Sequence, residues 1–302
     1  MIVETAGKVT ERILLLGTKA ANVYFVDGGK KAAIVGGGMV ETIPEILKQI
    51  EVFEIDAHKI QYILILHSHF DHCGIVPFFK KRWPWITVTA SKPAQDVLMK
   101  PKVINVIQSM NNEALERDGR VEQATQLGFS KFTGIAVEKV VGDGDRLTVG
   151  DITLEIISVP GHSPCSIAAY LPDEKALFAS DAGGIPLGRT IFTAANSNFD
   201  LYQQSLEKMA GYDVDIHLAE HYGARTGPDG KKFLKQSIAA AAEARKTMES
   251  YLAKNSDIQK GAEEITDSVM ALAPPDFLPR EIIARILAQM LKYIEQNKRS
   301  TA

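Results

Sequence analysis

Scarcity bounds this chain before any motif is read. Its 302 residues hold only two cysteines, Cys73 and Cys165, so no disulfide framework is available to staple a small fold. Long apolar runs are missing: the longest, such as 62–66, fall far short of the roughly 20 residues that a membrane-crossing helix requires. Charge of one sign is missing as well. Lys and Arg number 34 against 37 Asp and Glu, a net charge of -3 that gives neither nucleic acid nor an anionic membrane an electrostatic reason to bind. The start, MIVETAGKVTERILLLG, puts acids ahead of a short apolar run and has no small-residue cleavage motif. A signal peptide is not expected, and a cytoplasmic location is the simplest expectation. There is no solenoid-length repeat and no low-complexity linker.

What remains is an ordinary globular composition arranged in a readable order. ERILLLG, ANVYFVDGG and KKAAIVGGG are short apolar runs ending in glycine, the pattern of a strand meander. ETIPEILKQIEVF places Ile43, Ile46, Leu47 and Ile50 at helical spacing. KIQYILIL is nearly continuous in apolar residues, as in a strand covered on both faces. Residues 92–135 read as mostly helical, strands return from 138, and from about 228 the pattern is helical to the end. The last segment repeats apolar residues at 283, 286, 287, 290, 291 and 294. Alternating strands and helices followed by a helical tail predict a layered α/β unit over 1–228 and a helical extension over 229–302.

The stretch LHSHFDHCG, residues 66–74, concentrates His67, His69, Asp71 and His72 immediately after the continuous apolar strand. In an extended segment, residues two apart face the same way, so His67 and His69 reach a common point. Asp71 and His72 lie beyond a turn and serve a second point close by. Imidazole and carboxylate are the ligands preferred by zinc and by non-haem iron. Downstream strands end in the same chemistry: EIISVPGHSP presents His162, KALFASDAGG presents Asp181, and VDIHLAEHYG presents His221. Asp, His and Gly are common turn residues, yet five of the seven histidines standing after apolar strands in this order point to metal ligation instead.

The order H-x-H-x-D-H, then a lone His, an Asp and a His, each after a strand, resembles the metallo-β-lactamase superfamily of binuclear hydrolases. The resemblance implies an αββα sandwich, here with extra C-terminal helices. It implies two divalent metal ions, iron or zinc with manganese also suited: His67, His69 and His162 on one, Asp71, His72 and His221 on the other, and Asp181 bridging. The stretches IQYILILHSHFDHCGIVPFFKKRWPWITVTAS, GHSPCS, LFASDAGG and PDFLPREI are similar to the quinolone-signal response thioesterases of that superfamily. That closer likeness implies hydrolysis of an aroyl-acetyl coenzyme A thioester, iron, and a regulatory protein partner. Two departures stand out. The superfamily usually carries an acid in the third strand, where this chain has Gly36, so the group that orients a ligating histidine is missing or supplied elsewhere. GGIPLGRTIFTAANSN, after Asp181, gives the pocket a largely neutral and apolar stretch with Arg189 as its one charge.

The expected activity is metal-dependent hydrolysis of a small activated ester, a thioester first. A lactonase, a glyoxalase II-type hydrolase, a phosphodiester hydrolase, or a regulatory protein with a structural metal site would use the same ligands. Asp71 is a candidate for proton handling and Tyr222 a candidate proton donor. Cys73 and Cys165 read as small buried hydrophobes, and His58 and His217 as surface or core residues. Lys80, Lys81 and Arg82 before WPW read as a solvated helix end with an aromatic anchor, or as contacts for a coenzyme A phosphate. The stripe of the last helix must bury against the α/β core or a dimer mate, or else the tail roofs the metal cleft. In the roof reading, Phe277, Leu278 and Ile282 are candidate pocket walls.

Overall fold

A computed structural model describes residues 1–188, 190–274 and 278–298. After a two-residue strand β1 (Ile2–Val3), strands β2 (Gly7–Lys8), β3 (Ile13–Gly17), β4 (Asn22–Asp27) and β5 (Ala32–Val35) form the antiparallel meander read from the sequence. The chain then alternates through α1 (Ile43–Val52), β6 (Ile60–Leu64), α2 (Val76–Arg82), β7 (Thr87–Ser91), α3 (Lys92–Leu98), α4 (Pro101–Arg117), α5 (Val121–Leu127) and β8 (Lys139–Val141). These long crossovers return the chain to the same sheet edge, so β5 to β8 pair in parallel.

The second sheet takes β9 (Arg146–Val149), β10 (Ile152–Ser158), β11 (Ile167–Leu171) and β12 (Ala176–Phe178). A separate hairpin follows, β13 (Ile185–Leu187) and β14 (Thr190–Phe192), and then α6 (Phe199–Ala210), β15 (Ile216–Leu218) and β16 (Ala224–Thr226). The sheet order is β1-β16-β15-β12-β11-β10-β9, which carries the first strand of the chain across to the last one. Helices α7 (Pro228–Leu252), α8 (Ile258–Met270) and α9 (Arg280–Lys298) complete the chain.

Alternation of side chains along the strands builds three apolar interfaces. In β4, Tyr24 and Val26 point between the sheets, where they meet Leu147, Leu154, Phe178 and Leu218. Their neighbours Val23 and Phe25 point the other way, into a core shared with Ile43 and Ile46 of α1 and Phe79 of α2. On the far side of the second sheet, Ala168 and Leu177 pack under Phe199 and Leu206 of α6 and Leu234 of α7. The result is the α/β architecture expected, an αββα sandwich with C-terminal helices. Ile283, Leu287, Met290, Leu291 and Ile294 of α9 are buried in that last core, with Ile286 packed against it, so the chain itself covers the stripe.

Of the two histidines outside the ligand pattern, His58 stacks on Trp85 and His217 is a core residue. His217 has no exposed surface, stacks 3.9 Å from Phe233 of α7, and finds no hydrogen-bond partner for either ring nitrogen among the described residues. Burial, with the charge of Arg225 nearby, holds its pKa down from 6.5 to about 3. The unfolded chain therefore takes up this proton first, and stability is lost as pH falls from 6.5 toward 3. His217→Leu is expected to flatten that acid limb, gaining about 2 kcal/mol over the parent at pH 5 relative to pH 7.5. Urea melts of both proteins across this range check it; parallel pH profiles would refute it.

Candidate metal centre

The ligand-type residues stand where strands of both sheets run out at one end of the sandwich. His67 follows β6 after the buried pair Ile65 and Leu66, and Phe70–His72 form a single tight helical turn. His162 follows β10 through Gly161. That residue has φ +130°, and a Cβ on it would lie 2.2 Å from the Tyr202 backbone nitrogen, so only glycine lets this loop pass beneath α6. Asp181 sits in the turn Ser180–Gly183 after β12, and His221 follows β15. Ser180 (φ +48°) precedes Asp181 and Tyr222 (φ +56°) follows His221. Left-handed backbone at non-glycine residues is uncommon, and here it flanks two of the clustered side chains.

All seven candidates converge, six of them buried and His69 partly so. His67, His69 and His162 form one group, and Asp71, His72 and His221 another, each with donor atoms within 4.8 Å of one another. Nε2 of His162 lies 3.2 Å from Nε2 of His67 and 2.9 Å from Nδ1 of His69. Nε2 of His221 lies 3.1 Å from Nε2 of His72. Asp181 sits between the groups, with Oδ2 at 3.3 Å from His72 and 3.5 Å from His162 and Oδ1 at 3.6 Å from His221. Asp71 Oδ2 approaches only the second group, at 3.4 Å from His72 and 3.6 Å from His221.

The outer ring nitrogens decide what the inner ones offer. Nδ1 of His162 contacts the Ala194 carbonyl at 2.8 Å, and Nδ1 of His221 the Ala20 carbonyl at 2.6 Å. A carbonyl only accepts, so both Nδ1 atoms carry the proton and both Nε2 lone pairs face the centre. Ser180 donates its hydroxyl to Glu220 and so accepts from His67 Nδ1 at 3.2 Å, leaving a third lone pair facing inward. Lone pairs this close repel one another unless a cation sits among them. The donor set therefore fits two cations of the kind that imidazole and carboxylate prefer.

Burial opposes charge everywhere in the cluster. It holds His67 well below its usual pKa and His69 down at about 3, with neighbouring imidazoles adding to the effect. At His72 burial is overcome by Asp181, Asp71 and Glu220, and the pKa rises well above the ordinary value. Asp181 goes the other way, held below the carboxylate range by His72 and His221 despite its burial. A positive charge is thus favoured between the two aspartates.

Glu220 is the residue that sequence reasoning missed. It is 2% exposed, its Oε2 stands 3.0 Å from His72 Nδ1 as a charge contact rather than an aligned hydrogen bond, and the same oxygen receives the Ser180 hydroxyl. One carboxylate thus steadies His72 directly and His67 through Ser180. A Cβ at Gly36 would fall 2.6 Å from Glu220 Oε1, so Glu220 occupies the space that a side chain at 36 would enter. The absence at 36 was the signal, and HLAEH held the replacement next to a ligand-type histidine.

Two cavities open onto the cluster. The larger, about 580 Å³, reaches His69, Asp71, His162 and Asp181; the smaller, about 310 Å³, reaches His221 and Tyr222. Leu278 and Ile282 line both, while Phe277 lies outside the described residues. Lys80, Lys81 and Arg82 line neither: Lys80 is bound to Glu138 and to the Pro84 and Ile86 carbonyls. Cys73 and Cys165 are buried free thiols outside every ligand group, and Cys165 Sγ accepts the Ser68 backbone N–H at 3.3 Å. No helix among the described residues is long and apolar enough to cross a membrane.

Comparison with known proteins agrees with this geometry. The chain is 26% identical over 190 residues to the probable metallo-hydrolase YqgX of Bacillus subtilis, covering 61% of this chain and 77% of that one. It is 25% identical over 184 residues to the human acyl-coenzyme A thioesterase MBLAC2, covering 57% of this chain and 61% of that protein's length. The crystal structure of a metallo-beta-lactamase family protein from Thermus thermophilus superposes with a TM-score of 0.68 at 17% identity, over 96% of this chain and 95% of that one. The family model described as the metallo-beta-lactamase superfamily matches residues 16–221, which span every clustered residue from both sheets; with fold, cluster and sequence in agreement, the chain belongs to that superfamily.

Proposed function

We propose that this metallohydrolase cleaves thioesters of the acyl-coenzyme A type. The observation that carries the reading is the pairing of a two-cation cluster with a cavity walled by Val103, Ile107 and Met110 of α4 and by Ile282 and Ile286 of α9. Such a space takes a small-molecule thioester and turns polymers away. The human relative's name as an acyl-coenzyme A thioesterase and the likeness of LFASDAGG and PDFLPREI to the quinolone-signal thioesterases support it.

In this reading His67, His69 and His162 would hold one cation and Asp71, His72 and His221 the other, with Asp181 placed between the two groups to serve either. When bound, the cations supply Lewis acidity for the carbonyl and bring the pKa of water toward neutrality. The chain supplies everything else. Ala194, Ala20, Glu220 and Ser180 fix the orientation of the imidazoles. Asp71, through the carboxylate oxygen turned away from His72 and His221, takes up the proton of the attacking water. Tyr222 stands on the wall of the smaller cavity beside His221, and a thiolate leaving group needs no proton from it. Leu278 and Ile282 keep bulk water off the reacting carbonyl. Iron is the first metal to try, then zinc and manganese.

The test is thiol release from a panel of acyl-coenzyme A thioesters, using protein loaded anaerobically with iron and His69→Ala as control. Turnover should fall by at least about a hundredfold in the variant. Absence of turnover on every thioester would overturn the reading and bring lactones and phosphodiesters forward.

A further inference from the structure

The two cavities differ in chemistry as well as in size. The larger has the exposed cations Lys102 and Arg285 at its rim, and neither is ion-paired among the described residues. Positive charge at an open mouth suits the phosphates of a carrier. The smaller cavity lies on the opposite side of the Phe70, Ile185, Leu278 and Ile282 divider; Met39, Thr18, Thr42 and Glu41 line it, and its two arginines, Arg117 and Arg120, are ion-paired.

Glu41 is the anomaly in that wall. It sits in the short turn Val40–Thr42 after β5 and is 6% exposed. Its Oε1 is 3.6 Å from Arg117 of α4, too far for a hydrogen bond, and its Oε2 has no hydrogen-bond partner among the described residues. Burial, with Asp118 close by, raises its pKa to about 7. A buried acceptor left without a donor is costly. The terminal torsion of a glutamate is soft, so either oxygen turns toward the cavity at little cost.

We propose that the smaller cavity is the acyl subsite, and that it selects acyl groups carrying an O–H or N–H donor at their far end, received by Glu41. The substrate then straddles the cluster, its carrier in the larger cavity and its acyl group in the smaller. A plain alkyl tip leaves Glu41 Oε2 without a donor, and a carboxylate tip brings none, while Arg117 and Arg120 on the same wall are already paired with Glu41, Asp118 and Glu45. This assignment rests on the thioester reading above.

Its test compares, on metal-loaded full-length protein, coenzyme A thioesters of butanoic, hexanoic and octanoic acids with their ω-hydroxy and ω-carboxy counterparts. At the best-fitting length, kcat/KM should favour the hydroxyl tip over the plain tip by about tenfold or more, with the carboxyl tip poorest. Glu41→Gln, which keeps an acceptor, should retain the preference; Glu41→Leu should invert it. Calorimetric binding of the free hydroxy and plain acids should show the same order without turnover, and melting curves confirm that both variants fold. Turnover with equal kcat/KM across the pairs overturns the subsite and leaves the thioester reading standing. No turnover on any thioester overturns that reading. In that event the subsite stands if calorimetry still separates the two acids and Glu41→Leu abolishes or inverts the difference, and falls if it does neither.

Discussion

Asp181→Ala is expected to give a folded protein that holds no more than one metal per chain and has lost at least about a thousandfold in turnover. Asp181 is, among the described residues, the carboxylate within 3.6 Å of imidazoles from both groups, reaching His162 on one side and His72 and His221 on the other. Asp71 reaches only the second group, so nothing replaces the shared contact. The loop should survive, because Tyr202 bonds the Asp181 backbone carbonyl at 3.4 Å and not its side chain. Metal content by mass spectrometry, thiol release and circular dichroism read the three parts separately. Two metals with near-parent turnover would remove Asp181 from the bridging role.

Glu220→Ala should weaken metal binding at each site by about ten- to a hundredfold, with activity restored in part by excess metal. Both sites suffer because one carboxylate steadies His72 directly and His67 through Ser180. A circular dichroism spectrum unchanged before metal is added separates an orienting role from a structural one, since excess cation also stabilises any fold that binds it. Glu220→Gln keeps the shape and loses the charge, and should fall between alanine and the parent. Competition with a chelator of known affinity measures the effect; unchanged affinity in both variants would leave Glu220 a spectator.

Features that depend on spacing within one segment were legible in the sequence. His67 and His69 two apart after KIQYILIL needed only strand periodicity to be read as a pair, and the 283–294 stripe needed only the helical repeat. Features made across segments were not. Glu220 meets His72 because β15 and β6 lie in different sheets whose ends coincide, and no register between sheets is written in either strand. Gly36 hinted at the exchange without saying which acid had moved. The walls of the larger cavity come from α4 and α9, far apart in the chain, and the solitude of Glu41 depends on how α4 crosses the turn after β5. His217 in VDIHLAEH carried no sign that Phe233 would cover it.

The partners in the cluster are distant along the chain: 113 residues separate Ser180 from His67, and 149 separate His221 from His72. This protein has two free thiols and no disulfide among its described residues. Cations held by both sheets would therefore act as its cross-links, closing loops for which chain entropy alone sets a limit of about 5 kcal/mol each. The metal pair would then be a clasp between two halves of the sandwich, and stripping it with a chelator would loosen the architecture as well as stop the chemistry.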